Sequence, residues 1–304
     1  MKKILVTDGM ESEAVSALRA KGFEVTEKFF EPDELKAHLG EYDAVVVRSA
    51  TKVREPIIAE AKKGSLKLIV RGGVGVDNID VAFAEANGVA VRNTPRASSD
   101  SVAELALAHM FALSRCVFIA NYTMRVGEWN KKKYEGADIA GKTLGIVGFG
   151  RIGSSLAQKA HALGMKVLAF VRTDRELPDY VQKVGFDELL SKSDFVSLHT
   201  PAPADKKPII TAEKLALMKK TAFLINTARG VLIDENALCD ALDNGVIAGA
   251  GLDVYAEEPT KNERIFKNPR ISLTPHIGGS TKEAQSRIGA EIVDIITGFF
   301  AEKE

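Results

Sequence analysis

The sequence predicts an α/β chain of two lobes, each a parallel sheet flanked by helices, the second of them doubly wound. Short β-branched runs alternate with amphipathic segments along nearly the whole length, the pattern that parallel strands joined by crossover helices produce. The 304 residues exceed what one hydrophobic core usually fills, so two lobes of roughly 100 to 200 residues each are expected. The alternation also runs twice, first over about 1–95 and again from Leu144 onward.

In the first series, ILVT at 4–7, AVVV at 44–47, LKLIV at 66–70 and VAV at 89–91 read as strands, with helical patterns such as 11–21 and 80–87 between them. After Thr94-Pro95, the polar Ser98-Ser99-Asp100-Ser101 caps an apolar helix reaching Val126, too long for a simple crossover and expected to link the lobes. The polar stretch 127–143 reads as an exposed loop, with Lys131 to Lys133 on a solvated face. The second series supplies LGIVG, KVLAFV, DFVSLHT, AFLINTA, IAGAGLDV and ISLTP, about six strands, as a complete doubly wound sheet requires. The helix from Ser280 onward is expected to return to the first lobe. The smaller lobe is therefore 1–95 plus 277–304, and the larger is 96–276.

Composition narrows the function. The chain is 45% hydrophobic and 27% charged, with 41 basic residues against 41 acidic ones, which gives nucleic acid nothing to bind. The two cysteines, Cys116 and Cys239, sit inside apolar helical patterns, so neither a disulfide framework nor a thiolate metal site is expected and a reducing cytoplasm fits. The start MKKILVTDGM has only a short apolar run before Asp8, and no stretch of about 18 apolar residues exists, so neither export nor a membrane span is expected. No histidine pair has metal-ligand spacing, so no metal is expected.

Gly148-Phe149-Gly150-Arg151-Ile152-Gly153 follows the strand LGIV and opens the helix SSLAQKAHAL. Glycines in that position let the backbone turn tightly and approach a pyrophosphate, whose charge meets the positive end of the helix. The second lobe thus reads as a Rossmann dinucleotide domain. The acidic residue that grips the ribose of NAD normally closes the next strand. Here that strand ends at Val171, followed by Arg172-Thr173-Asp174. NAD is the expected cofactor, with NADP open because Arg172 and Thr173 suit a 2′-phosphate, while Asp174 offers the alternative ribose contact.

Three further segments each end a predicted strand of the second lobe, where open parallel sheets place their ligands. They are Asn226-Thr227-Ala228-Arg229-Gly230, Asp253-Val254-Tyr255-Ala256-Glu257-Glu258-Pro259 and Thr274-Pro275-His276-Ile277-Gly278-Gly279. Together with VRSATKV at 47–53, GVGVDNID at 73–80, NTP at 93–95, GKTLGIVGFGRIG at 141–153 and STKEAQSR at 280–287, they resemble the D-isomer-specific 2-hydroxyacid dehydrogenase family over essentially the whole chain, most closely its phosphoglycerate dehydrogenases. The resemblance implies a flavodoxin-like substrate lobe and a catalytic trio of Arg229, Glu258 and His276.

The chemistry requires such a trio. Oxidising a secondary alcohol needs a base for the hydroxyl proton, the reverse needs an acid, and imidazole does both near neutrality. His276 takes that part, Glu258 (rather than Glu257) favours its imidazolium, and Arg229 offers a planar fork to the substrate carboxylate or carbonyl. By resemblance, Asp253 lies beside the nicotinamide carboxamide, Thr227 and Ala228 line the same pocket, Thr200-Pro201 is a cofactor turn, and Gly278 and Gly279 join the cofactor set. The amides of Arg71-Gly72-Gly73-Val74-Gly75 form a nest for the substrate carboxylate. Arg48, Lys52 and Arg71 are the cations available for a substrate phosphate.

The expected reaction is oxidation of 3-phosphoglycerate in serine synthesis, with hydroxypyruvate or glyoxylate reduction as its rival and a cofactor-sensing scaffold as the alternative of another class. Longer phosphoglycerate dehydrogenases continue into a serine-binding domain; with the sequence ending at Glu304, no serine inhibition of that kind is expected. His38, His109 and His161 read as packing or surface residues, and His199 as a second layer behind the cofactor turn. The helix after Ser98 and the loop 127–140 are expected to form a homodimer interface by resemblance.

Overall fold

The computed structural model describes residues 1–173 and 175–301. Asp174, the alternative ribose contact, lies outside the described residues, as do positions 302–304. The chain divides into two compact units, Met1–Ser98 with Gly279–Glu304, and Ser99–Gly278.

The first unit runs β1 (Lys3–Val6), α1 (Ser12–Ala20), β2 (Glu24–Glu27), α2 (Pro32–His38), β3 (Ala44–Val47), α3 (Glu55–Ala61), β4 (Leu68–Arg71), α4 (Val81–Ala86) and β5 (Ala90–Asn93). Its strands pair in the order β2-β1-β3-β4-β5, every pairing parallel. Because successive side chains of a strand point to opposite faces, each strand feeds two cores. Ile4, Val6, Val46 and Val70 lie in one; Leu5, Val45, Val47 and Ile69 lie in the other. The strand β2 is absent from the sequence reading, and its physical reason is plain: EVTE buries only Val25, as a charged edge strand does.

The second unit begins with α5 (Ser99–Ser114) and α6 (Val117–Arg125) and continues through β6 (Thr143–Val147), α7 (Arg151–Ala162), β7 (Lys166–Phe170), β8 (Val181–Lys183), α8 (Phe186–Lys192), β9 (Phe195–Leu198), α9 (Ala212–Ala216), β10 (Phe223–Asn226), α10 (Glu235–Asp243), β11 (Gly249–Leu252), α11 (Glu263–Phe266) and β12 (Ile271–Leu273). The sheet order is β12-β11-β10-β9-β6-β7-β8. The order reverses between β6 and β9, which is where doubly wound sheets bind ligands.

The single long helix expected after Ser98 is instead two. Cys116 takes a left-handed conformation with φ 53°, and α5 and α6 are bent by 66°. The loop that follows packs on this break: the Ser114 carbonyl accepts the Ala137 amide at 2.8 Å. α5 is buried on most of its surface against the sheet, as a helix apolar all round must be. Among the described residues, no single helix is long and apolar enough to cross a membrane.

The last helix, α12 (Lys282–Ala301), belongs to the first unit. Ile288, Ile292 and Ile296 enter the same core as Ile4 and Val6. Gly289 permits its close crossing with α1, since a Cβ there would meet the Ala14 Cβ at 2.8 Å.

Candidate functional site

The turn after β6 shows why its glycines stand where they do. Gly148 has φ 95°, and a side chain on it would strike the His199 carbonyl at 2.5 Å; a side chain on Gly153 would strike the Gly148 carbonyl at 2.3 Å. Those two glycines are needed by the protein itself. Gly150, which caps α7, has nothing within 4 Å of where its side chain would be. The face over Gly150 and the first amides of α7 is thus open, and those amides have no partner within the helix, a cradle that fits a pyrophosphate.

Beside this turn, His199 is half-buried, its Nε2 2.8 Å from the Ser197 hydroxyl, and desolvation of the ring drives its pKa down to about 4. Its Nδ1 has no partner, and neither does the buried Thr227 hydroxyl. Two orphaned buried polar atoms along the ends of β9 and β10 are what a site shaped for a polar cofactor contains. At the end of β7, Arg172 and Thr173 are exposed and Val171 is half-buried. Arg175, which sequence reading passed over, donates to the Phe149 carbonyl at 2.6 Å and lies 5.9 Å over the Phe149 ring. Thr200 is half-buried and Pro201 exposed at the end of β9.

The turn after β10 is closed by Asn226, 1% exposed, which donates to the Arg229 carbonyl at 2.8 Å and accepts the Ala228 amide at 3.1 Å. Gly230 then lets this turn lie directly against the segment after β11: a side chain on Gly230 would fall 1.9 Å from the Tyr255 carbonyl. That approach is what brings Arg229 and Glu258 into one electrostatic neighbourhood.

Glu258 receives the Tyr255 amide at 3.1 Å on one oxygen and meets His276 Nδ1 at 2.6 Å with the other. Burial raises the Glu258 carboxyl, but the hydrogen bond and charge of His276, the Tyr255 amide and the Arg229 charge outweigh it, so it lies below its ordinary value. Glu257 points elsewhere, to Lys261 at 3.1 Å. With Nδ1 held by Glu258, Nε2 is the His276 nitrogen left for proton transfer. A cavity of about 480 Å³ adjoins the pair, lined by Tyr255, Pro259, Phe266 and Leu273 among others.

His276 sits in the left-handed region with φ 54°, a conformation that costs a non-glycine residue about 1–3 kcal/mol. Asp253, 1% exposed, holds the turn: it accepts the Thr274 hydroxyl at 2.6 Å and the amides of Ile277 and Gly278 at 2.8 Å each. Tyr255 adds a hydrogen bond to the Thr274 carbonyl at 2.8 Å, and burial pushes its phenol up to about 12. Gly278 is buried and Gly279 half-buried.

In the first unit, the Arg71–Gly75 segment follows β4. Gly73 has φ 137°, and the Arg71 guanidinium folds back onto it, 1.6 Å from where a Cβ would stand. Thr94 receives the Gly73 amide at 2.7 Å, and the Val74 carbonyl accepts Asn93 at 2.5 Å. Gly72 and Gly73 are buried; Val74 and Gly75 are half-buried. The neighbouring Arg48 loop is held by Asp8, which sequence reading did not single out: it accepts the Arg48 amide at 2.7 Å and the Thr51 amide at 3.0 Å. Arg48 is half-buried and Lys52 exposed. Among the described residues no His, Cys, Asp and Glu cluster could hold a metal ion.

The model for the D-isomer specific 2-hydroxyacid dehydrogenase NAD binding domain matches residues 107–278. The chain is 43% identical over 300 residues to the hydroxypyruvate reductase of Thermotoga maritima, covering 97% of both chains. It is 41% identical over 303 residues to the D-3-phosphoglycerate dehydrogenase of Methanocaldococcus jannaschii, covering 97% of this chain but 57% of that one, so it spans little over half of that relative's length. A solved acyclic imino acid reductase in complex with NADPH and D-Arg superposes with a TM-score of 0.91 at 33% identity, covering 99% of this chain and 98% of that one.

The Glu258–His276 pair has a pH signature. Because the folded carboxyl lies below its ordinary 4.5, its contribution to stability is complete above that value and is lost as pH falls through the lower, folded one. Thermal melts of the chain and of Glu258→Gln are expected to differ above 4.5 and to converge in acid. A gap that widens on acidification contradicts the pairing.

Proposed function

The chain belongs to the D-isomer-specific 2-hydroxyacid dehydrogenase family, and we propose that its substrate is D-3-phosphoglycerate, oxidised at C2 to 3-phosphohydroxypyruvate in the manner of serine synthesis. The observation that carries the hydride-transfer reading is the 2.6 Å contact between His276 Nδ1 and Glu258 on the same sheet edge as Arg229. A nicotinamide cofactor, when bound over the Gly148–Gly153 turn, supplies the hydride acceptor or donor.

The residues of the chain do the rest. In oxidation His276 Nε2 takes the C2 hydroxyl proton while C2 gives up its hydrogen with the electron pair; in reduction the imidazolium returns a proton to the forming alkoxide. Glu258 stabilises that imidazolium and fixes its orientation. Arg229 holds the substrate carboxylate or carbonyl, aligning C2. In the first unit, the amides of Gly72 and Gly73 already donate to Val47 and Thr94, which narrows the carboxylate nest to Val74 and Gly75; Arg48, Lys52 and Arg71 are assigned to the phosphate.

A second reading, reduction of hydroxypyruvate or glyoxylate with NADPH, is favoured by two observations. The hydroxypyruvate reductase of Thermotoga maritima matches over 97% of both chains, and the end of β7 offers Arg172 and Thr173, both exposed, which suit a 2′-phosphate. NAD goes with the first reading.

Initial rates with phosphorylated and unphosphorylated C3 acids, each with both cofactors, separate the two. Under either reading, His276→Ala lowers kcat at least about 100-fold; full activity in that variant removes the proton-transfer assignment. For phosphoglycerate, Arg48→Ala should lower kcat/KM about 10-fold or more on the phosphorylated acid while sparing hydroxypyruvate. An equal effect on both acids overturns the phosphate assignment.

We also assign a homodimer to the face formed by α5, α6 and the loop 127–140. Tyr122, Met124, Val126 and Trp129 are exposed there, Trp129 by 78%, an apolar display that monomers rarely leave to water. Sedimentation at micromolar concentration should give twice the chain mass; a single-chain species would refute it.

A further inference from the structure

The buried face of α5 carries a polar group that neither the trio nor the cofactor turn uses. His109 is 2% exposed. Its Nδ1 lies 2.9 Å from the Ser272 hydroxyl and its Nε2 3.0 Å from the Thr274 hydroxyl. The carboxylate of Asp253 is acceptor-only, so Thr274 donates its proton there, at 2.6 Å, and must accept from His109. That places the ring proton on Nε2 and leaves Nδ1 to accept from Ser272. A one-way chain of hydrogen bonds therefore runs from Ser272 through His109 and Thr274 to Asp253, whose oxygens also take the amides of Ile277 and Gly278.

Packing shows room made for this ring. A side chain on Gly251 of β11 would meet the His109 Cβ at 2.7 Å, and one on Gly278 would meet Asp253 at 3.1 Å and Val102 of α5 at 3.2 Å. The helix thus backs the ends of β11 and β12 where the His276 turn leaves the sheet. Burial lowers the His109 pKa, with the Asp253 charge opposing, which is consistent with the neutral, directional form.

We propose that His109 is a positioning residue for hydride transfer: acting through Thr274 and Asp253, it holds the left-handed turn that presents His276 to Glu258. The inference rests on the function proposed above, because positioning matters only if His276 moves a proton. Its geometric half is independent: the turn should loosen when the chain of hydrogen bonds is cut, whatever the reaction.

The experiment uses the full chain and the variants His109→Phe, His109→Gln, Thr274→Val and Thr274→Ser. Two readouts are taken: steady-state rates with 2-oxo acids and NADH or NADPH, and hydrogen exchange of the peptide spanning 274–279. His109→Phe and Thr274→Val are expected to lower kcat about 10-fold or more with KM for the oxo acid within about twofold, since small misplacements act on the chemical step. The same two should speed exchange at Ile277 and Gly278, whereas Thr274→Ser and His109→Gln, which keep a donor, recover most of both. Combining His109→Phe with Thr274→Val should cost little beyond the worse single change, as members of one chain do.

Wild-type kcat and exchange in His109→Phe would overturn the proposal. Should that variant fail to fold, the Thr274→Val and Thr274→Ser pair decides, and equal behaviour of the two overturns it. If the unmodified chain reduces no 2-oxo acid, the proposed function falls, while the exchange comparison still decides whether His109 holds the turn.

Discussion

The buried carboxylate of Asp253 is the interaction on which the active end of the second sheet depends. It stands at the end of β11 and takes three donors from the neighbouring strand's exit, the Thr274 hydroxyl and the amides of Ile277 and Gly278. Hydrogen bonds to a charged group are worth about 1.5–3 kcal/mol each. Three of them outweigh the about 1–3 kcal/mol that a left-handed histidine costs. His276 is therefore held in a backbone conformation that it would not choose alone, and that conformation carries its ring to Glu258.

The other half of the convergence is made by absence of side chains. Gly230 allows the Arg229 turn to touch the segment after β11, and no other residue could replace it without displacing the Tyr255 carbonyl. Gly148 and Gly153 similarly satisfy the protein's own packing. Gly150 differs because its surroundings are empty, which leaves room for a phosphate to approach the first amides of α7 closely. Parallel strands then do the gathering, since their C-terminal ends all lie along one edge of the sheet.

The central strands and the doubly wound class were legible because buried parallel strands are continuous apolar runs. The edge strands β2 and β8 were not, since EVTE and VQK bury one residue each and carry no such run. The break at Cys116 was invisible because no glycine or proline marks it; the left-handed residue is a cysteine inside an apolar run, and the loop that packs on the break is distant in sequence. Arg229, Glu258 and His276 could be read from motifs at strand ends, and Glu258 could be preferred to Glu257, which instead meets Lys261. Asp8, Arg175, Tyr255 and His109 could not, because each acts through a contact with a segment that its local pattern does not name. His109 in particular sits in an apolar helical stripe, where periodicity reports burial and says nothing of hydrogen-bond direction.

The five histidines differ in environment more than in residue type, and that difference supports the proton-transfer role proposed for His276. His38 makes an exposed pair with Glu41 at the end of a surface helix and stacks on Phe30. His161 stacks on Tyr180 at the outer rim of the second unit. His199 has its Nδ1 enclosed and its pKa driven down to about 4, so it stays neutral across the physiological range and can only offer fixed hydrogen-bonding atoms. His109 is enclosed too, and its two nitrogens are occupied by hydroxyls. His276 combines what the chemistry needs: 40% side-chain exposure, one nitrogen fixed by a carboxylate and the other open to exchange a proton. A depressed pKa sets His199 apart from proton exchange with substrate, nitrogens occupied by hydroxyls set His109 apart, and the strained turn held by Asp253 gives His276 the place proposed for it.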